Sequence, residues 1–156
     1  LSRANLTRTN LDGARLRDVN LSKVDLAGLD LSDRDLSNAD LTGARLTGTI
    51  LRGASLRGAN LSNVDLSGID FAGQDLTSIN LSGATLKEAR LSDANLSRAN
   101  LTRADLTAAD LSRSNLAWAD LSFATLMGAN LSGTDTYRAL FTPTNLADTI
   151  ANGTTP

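Results

Sequence analysis

The chain has 156 residues, of which 41% are hydrophobic and only 3% aromatic, and its formal net charge at pH 7 is −2. This length corresponds to one domain, and its core must consist of small and aliphatic side chains rather than large rings. The sequence contains neither cysteine nor histidine, which excludes disulfides, thiolate chemistry, zinc sites of the Cys/His kind and a histidine base. The near-neutral charge provides no general attraction to nucleic acid or to an acidic membrane.

A leucine recurs every five residues from Leu1 to Leu131, and Phe71 is the only exception among these 27 centre positions. This period fits neither a helix nor a straight strand. It would spread the leucines around a helix, and it would place alternate leucines on opposite faces of a strand. Five is the period of a chain that turns a corner in every unit. Such regularity predicts a solenoid, in which each unit buries its apolar side against its neighbours.

The clearest stretch, 91–110, reads LSDANLSRANLTRADLTAAD, with units of the form A(D/N)LXX. The chain therefore resembles the pentapeptide repeat family over residues 1 to about 135. The resemblance implies an all-β fold, a right-handed quadrilateral β-helix with 20 residues per coil and about seven coils for this length. Because the rhythm weakens after residue 131, we expect the β-helix at 1–135, degenerate repeats or a cap at 136–150, and a polar tail at 151–156.

Each position of a unit has a predicted role. The centre residue and the residue two before it point inward. Of the 12 glycines, the 11 between residues 13 and 133 all stand two residues after a centre. This is expected for the third residue of a type II turn, which needs φ > 0. Units with Arg, Asp or Ala there are expected to turn differently, so two corner types are predicted. The predicted structural core includes Leu26, Leu31, Leu36, Leu46, Leu66, Phe71, Leu86 and Leu106.

Polar residues flank most centres, with Asn or Asp before and Ser or Thr after, and we expect them to bond backbone groups that a corner leaves unpaired. A second period of 40 residues alternates bulky and small inward residues, which allows the layers to interdigitate. Arg34 is the one charged residue at an inward position. Its stem is expected to pack over Ala14 and Ala54 with the guanidinium reaching Asp33 or Asp35, and the alternative is an anion or ligand site.

Aspartates recur on two neighbouring sides of the predicted rod. Arg45 and Arg90 fall between members of these columns and are expected to balance their charge. Some pentapeptide repeat proteins inhibit or protect DNA gyrase by mimicking DNA, so DNA mimicry is kept as the alternative function. DNA as long as this rod, about 35 Å, carries on the order of 20 negative charges, far more than the net −2 of this chain. The recurring residues are Asp25, Asp65 and Asp105 on one side and Asp30, Asp70 and Asp110 on the next.

No nucleophile, base and orienting group occur together beyond what the repeat supplies, and flat ladders offer no concave apolar pocket. We therefore expect a non-enzymatic structural or protein-interaction solenoid with no catalytic, cofactor or metal site. A protein partner is expected and a weak homodimer through the ends of the solenoid stays open, whereas direct nucleic-acid binding is not expected. No apolar run approaches the roughly 20 residues that span a bilayer. We favour the cytoplasm, although the chain starts in mid-motif and a truncated N-terminus stays open.

The surface changes character towards the C-terminus, where large side chains occupy positions that elsewhere hold small or polar ones. Arg98, Trp118 and Arg138 are 20 residues apart, so guanidinium groups are predicted to stack on the indole. Leu140 and Ile150 lie where the regular ladder is expected to fail. The surface is predicted to be either an apolar cap over the last coil's backbone edge or a partner or self-association surface. Its members are Arg98, Trp118, Phe123, Met127, Tyr137 and Arg138.

Overall fold

The computed structural model describes residues 14–154. In this range there is no helix and no strand longer than one residue, and single-residue parallel bridges alternate with two-residue turns. Each bridge joins residues 20 apart, such as Asn20 with Asp40 and Asn60 with Asn80. The chain is therefore a β-helix with 20 residues per coil, and a turn in every five-residue unit gives it four sides. Centres 1, 6 and 11 and the last two residues of the predicted tail lie outside the described residues.

We number the four sides by their centre residues. Side 1 has centres 21, 41, 61, 81, 101, 121 and 141, and side 2 has centres 26, 46, 66, 86, 106, 126 and 146. Side 3 has centres 31, 51, 71, 91, 111, 131 and 151, and side 4 has centres 16, 36, 56, 76, 96, 116 and 136. A corner is the residue two after a centre, and positions 20 residues apart form a column along the rod.

The core is a continuous stack of centre side chains. Every centre from 16 to 131 is buried, and all eight predicted core residues are among them. Phe71 is fully buried and is the largest of these side chains. Most residues two before a centre are buried Ala or Val, which leaves room for the leucines of adjoining sides. Each fully buried leucine contributes roughly 1.5 to 3 kcal/mol by area, so the stack is the main source of stability.

The unit centred on Leu81 shows how the backbone amides are paired where the ladder is regular; among the described residues, the bridges are interrupted between the coils centred on 46–56 and 66–76. The amides of Asn80, Leu81 and Gly83 donate to carbonyl oxygens of neighbouring coils at 2.9, 2.8 and 2.9 Å. The amide of Ile79 closes a turn at 3.1 Å, and that of Ser82 donates to Oδ1 of Asn80 at 3.1 Å. The predicted role of the polar residue before the centre is thus confirmed. A five-residue unit satisfies all its donors without a helix or a long strand.

All described corners other than Pro143 share one backbone geometry, so the prediction of two corner types is wrong. Glycine corners have φ between +60° and +71°, and non-glycine corners such as Asp33 and Ala108 have φ between +56° and +65°. At most corners, the bond from the corner amide to the next coil and the packing of the centres on either side hold the corner in place whatever its residue. Each non-glycine corner tolerates a strain of about 1 to 2 kcal/mol.

The ladder also continues into the degenerate repeats. Asp120 pairs with Leu140 and Asn130 with Ile150, 20 residues apart as elsewhere. The expectation that the ladder fails at Leu140 and Ile150 is therefore wrong, because the bridges use backbone groups and depend little on the side chain. The domain division at residue 135 stays a prediction about sequence regularity.

We predict that Leu66→Asp unfolds the rod. Leu66 is 2% exposed, so the variant would place an unpaired carboxylate in the core, and this costs more than the packing of one leucine contributes. Circular dichroism with thermal melting measures the effect. Asn63→Asp is the control, because it adds the same carboxylate at an exposed corner nearby. A Leu66→Asp protein that melted like this control would contradict the inward placement of the centres.

We predict that Gly48→Ala lowers the free energy of unfolding by about 1 kcal/mol or somewhat more. Gly48 has φ +70° and an added Cβ would meet no atom within 4 Å, so only backbone strain opposes the substitution. Ala108 occupies the same corner column with φ +58°. Ala108→Gly should leave stability unchanged or raise it, because relief of strain offsets the greater freedom of the unfolded chain. Urea denaturation of both variants tests this, and a stabilising Gly48→Ala would rule out the positive φ.

Candidate functional site: an exposed aromatic and arginine surface

The C-terminal part of side 1 carries an exposed cluster that we call the aromatic–arginine patch, formed by Arg103, Trp118, Phe123, Tyr137 and Arg138. Trp118 and Phe123 hold the two corners that border side 1 in one coil. Arg138 follows Trp118 by one coil in the same column, and Arg103 precedes Phe123 by one coil in the other. Both edges of the side are therefore lined by arginine and aromatic side chains.

The side chains of the patch contact one another. Cζ of Arg138 lies 4.5 Å from the ring centroid of Trp118 and 5.3 Å from that of Tyr137. Trp118 and Tyr137 meet edge to face with centroids 5.9 Å apart. On the other edge, Cζ of Arg103 lies 5.9 Å from the centroid of Phe123. Even so, Trp118, Phe123 and Tyr137 remain 50%, 58% and 47% exposed, so large apolar surfaces still face solvent.

The backbone of the rod sets the positions of these rings. Trp118 and Phe123 are corners with φ +65° and +63°, and a corner side chain projects away from the core. The amide of Trp118 donates to the carbonyl of Tyr137 at 2.8 Å, and that of Phe123 to the carbonyl of Pro143 at 2.7 Å. The carboxylate of Asp135 accepts the amide of Tyr137 at 2.9 Å. The backbone that carries the three rings is therefore held by hydrogen bonds at each of them.

The patch differs in part from the surface that the sequence predicts. The contact over the indole comes from Arg138, while Arg98 lies one coil before Trp118 in the same column. Met127 is 44% exposed but belongs to side 2, around the next corner. Sequence reasoning missed Arg103, which the 20-residue spacing to Phe123 could have revealed.

The arginines of this region do not form ion pairs with the described carboxylates. Among the described residues, Arg98, Arg103 and Arg138 have no carboxylate within 4.0 Å. Elsewhere along the rod, six cations are paired with an aspartate. These are Arg17, Arg45, Arg57, Lys87, Arg90 and Arg113. Lys23 and Arg52 also lack such a partner among the described residues, but Arg98, Arg103 and Arg138 are the ones that lie one coil from an exposed ring in the same column.

The patch lies on the side of the rod rather than over its end. A further coil, with centres 136 to 151, follows Trp118 and Phe123 and bonds to their backbone. The end of the described core is lined by Leu131, Phe141 and Leu146 around an apolar depression of about 370 Å³, and Leu146 is 47% exposed. This placement favours an interaction surface over a cap for Trp118 and Phe123.

The acidic columns of sides 2 and 3 are partly neutralised, as the sequence predicts for Arg45 and Arg90. Three of the six recurring aspartates have a cationic partner: Asp25 with Arg45 at 3.0 Å, Asp70 with Arg90 at 3.1 Å and Asp105 with Lys87 at 3.3 Å. These two sides therefore do not form a continuous acidic surface.

Two further polar residues, Arg34 and Gln74, occupy inward positions. Arg34 is half-buried, and Nε2 of Gln74 donates to the carbonyl of Ala54 at 2.7 Å. A depression of about 780 Å³ beside Gln74 is lined by residues that include Ile50 and Gly73.

Within 14–154, no cluster of three or more potential ligands is placed to hold a metal ion. The same residues include no helix long and apolar enough to cross a bilayer.

A family model described as pentapeptide repeats matches the chain in 8 copies, at residues 1–33, 35–73, 65–103 and 99–135. The chain belongs to the pentapeptide repeat family. Proteins of this family fold as right-handed quadrilateral β-helices, in agreement with the four-sided rod described above. A comparison with curated protein sequences gives no match.

Solved structures of other pentapeptide repeat proteins are similar to this one. HetL, involved in heterocyst differentiation regulation in the cyanobacterium Nostoc sp. strain PCC 7120, is 34% identical with a TM-score of 0.58. The match covers 81% of this chain and 61% of HetL, so the chain spans less than two thirds of the length of HetL. A trypsin-treated variant of QnrB1, a plasmid-mediated fluoroquinolone resistance protein, is 20% identical over 98% of this chain and 86% of its own, with a TM-score of 0.49.

Two aspartates before centres of this pentapeptide repeat protein, Asp35 and Asp65, have lowered pKa values. The side chain of Ser37, its amide and Arg17 together lower the pKa of Asp35 from 3.8 to about 2. The side chain and amide of Ser67 likewise lower the pKa of Asp65. These donors bond the carboxylate better than the carboxylic acid, which favours the charged form.

We predict that the free energy of unfolding falls as the pH drops from about 4 towards 2. The pKa of Asp35 is lower in the folded state, so the unfolded chain binds more protons in this window and acid favours unfolding. Denaturation midpoints at pH 4, 3 and 2 measure the slope. Asp35→Asn is the matched variant, because an asparagine can still accept the Ser37 amide but does not titrate. Its slope should be flatter, and an unchanged slope would contradict the assignment.

Proposed function

We propose that this pentapeptide repeat protein is a non-enzymatic interaction module that presents the aromatic–arginine patch to a protein partner. The observation that supports this is the concentration of exposed Trp118, Phe123 and Tyr137 beside unpaired arginines, on a rod whose other sides are mainly polar. Trp, Tyr and Arg are the residues most enriched at the energetic centres of protein interfaces.

The rod suits this role because its backbone is extensively hydrogen-bonded and its corner side chains are not needed for folding. Core leucines and inter-coil hydrogen bonds hold the coils together, while corner side chains contribute little. At 20 residues per coil, residues 14–154 correspond to about seven coils. Neighbouring coils are about 4.8 Å apart, so corner residues in one column present a regular row of side chains to a partner.

DNA mimicry is the alternative function, and it needs a continuous acidic surface like that of a DNA backbone. Pairing of Asp25, Asp70 and Asp105 with cations removes half of the acidic columns that would supply one. Unpaired arginines on side 1 would also repel a site that binds DNA. These observations favour the patch over mimicry. The molar mass of the protein in solution distinguishes self-association, through the patch or the ends, from binding of a different protein.

We predict that Trp118→Ser with Phe123→Ser abolishes capture of a protein partner from the native source and leaves the fold intact. Both side chains are at least half exposed, and the lost ring–guanidinium contacts contribute only roughly 0.5 to 1 kcal/mol each. Bait protein is immobilised and captured proteins are quantified by mass spectrometry. Thermal melting and molar mass are measured in parallel.

The matched control is Asn38→Ser with Lys23→Ser, which changes exposed corners of the same two columns near the other end of the rod. Capture should survive in the control. Capture that persists in the aromatic variant would contradict the proposal. A large loss of stability in an unchanged monomer would instead show that the rings serve the fold, and a halved molar mass would show a dimer.

A further inference from the structure

We infer that the partner surface recognised by the patch is an extended acidic segment of a protein chain, with carboxylates bound by Arg98, Arg103 and Arg138 and an apolar side chain packed between them. This inference rests on the proposed interaction function and adds the chemistry of the partner. It extends the site to Arg98 and to the surface of side 1 between the two corner columns.

The arrangement of the arginines carries the charge argument. Arg98 and Arg103 hold the two corners that border side 1 in one coil, and Arg138 lies two coils beyond Arg98. None of the three has a carboxylate within 4.0 Å among the described residues. Lys23 and Arg52 lack one as well, but neither shares a coil with another unpaired arginine across side 1. A guanidinium group without a carboxylate offers its planar donors to one supplied by a partner, and such pairs are short and often bidentate.

The apolar half of the site lies between these charges. Trp118 and Phe123 occupy the coil between Arg98 and Arg138, and Leu140 is 55% exposed on side 1 in the following coil. Gly83, one coil before Arg103, has no side chain at its corner. A depression of about 590 Å³ extends from Gly83 along side 1 to Phe123. An apolar side chain of a partner can enter this space and bury ring surface that now faces solvent.

Spacing sets the pattern expected in the partner. Arg98 and Arg138 are two coils apart, which is about 10 Å at the usual distance between neighbouring β-strands. An extended peptide rises about 3.3 Å per residue. A peptide that runs along side 1 would therefore place acidic residues about three positions apart, with an apolar residue between them over Trp118 and Phe123.

Several features favour an acidic peptide over single-stranded nucleic acid. Arg138 already lies over the indole of Trp118 and Tyr137 meets its edge, so the ring supports a guanidinium group instead of offering a free face to a base. Asp120 lies on side 1 between the two corners, with its carboxylate held by the amide of Ser122 at 2.9 Å. A phosphate backbone would carry a charge past this carboxylate at every nucleotide, while a peptide can place a neutral residue there.

Selection from a displayed library of random peptides of about twelve residues tests the inference with the intact protein as target. We expect enriched peptides to have net negative charge and two acidic residues about three apart that flank an apolar one. Fluorescence anisotropy of an enriched peptide should show binding that weakens as salt rises. Arg98→Glu with Arg103→Glu should weaken it by about tenfold or more, because like charges then face each other.

The matched control is Lys23→Glu with Arg52→Glu, which makes the same change in net charge at exposed cations far from the patch. Binding to this control should stay within about twofold, because distant exposed charges are screened by salt. Enriched peptides without net negative charge, or binding unaffected by the Arg98 and Arg103 changes, would overturn the inference. An oligothymidylate that binds through the same two arginines would overturn it in favour of nucleic acid.

Failure of this inference is distinguishable from failure of the proposed function. If no acidic peptide is enriched but the Trp118 and Phe123 changes still abolish capture from the native source, the patch is an interaction surface for a partner of different chemistry. If peptides are not enriched and capture also persists, both proposals fail.

Discussion

The hydrogen bond from the amide of one coil to the carbonyl of the next is the constraint on which the rest of this rod depends. The residues that these bonds pair in bridges are 20 apart, so each coil must return to the same register after four corners. A corner is possible every five residues only because the amide that it would leave unpaired is accepted by Asn or Asp before the centre, as Asn80 accepts Ser82. With most backbone donors satisfied in this way, the narrow core needs only leucine and small aliphatic side chains.

This constraint separates the residues that hold the fold from those available for binding. Leu81 and Asn80 participate in the coil, one through burial and the other through its side-chain bond. A corner residue contributes its backbone amide and places its side chain in solvent. The rod can therefore present Gly83, Arg103 and Phe123 in one column without a change of backbone geometry. Function in such a protein is best sought at its corners.

The period of the sequence predicts the fold well because it repeats the same information in every unit. It fails at the corners, where Asp33 and Ala108 adopt the geometry of glycine because coil-to-coil bonds override local preference. The site is only partly predictable. The columns that bring Arg138 to Trp118 follow from spacing, but the edge-to-face contact with Tyr137 depends on side-chain rotamers, which a repeat pattern does not specify.

Backbone strain alone does not mark the site, because Ala108 tolerates the same left-handed conformation as Trp118. The energetic comparison is more informative. A non-glycine corner costs about 1 to 2 kcal/mol, and an exposed ring–guanidinium contact returns only about 0.5 to 1 kcal/mol. The single contact of Phe123 with Arg103 therefore does not offset the conformation that holds it. Trp118, by contrast, also gains an edge-to-face contact with Tyr137, worth about 0.5 to 1.5 kcal/mol. The Trp118 and Phe123 rings remain at least half exposed, and burial against a partner would recover the apolar contribution that the isolated rod leaves unused.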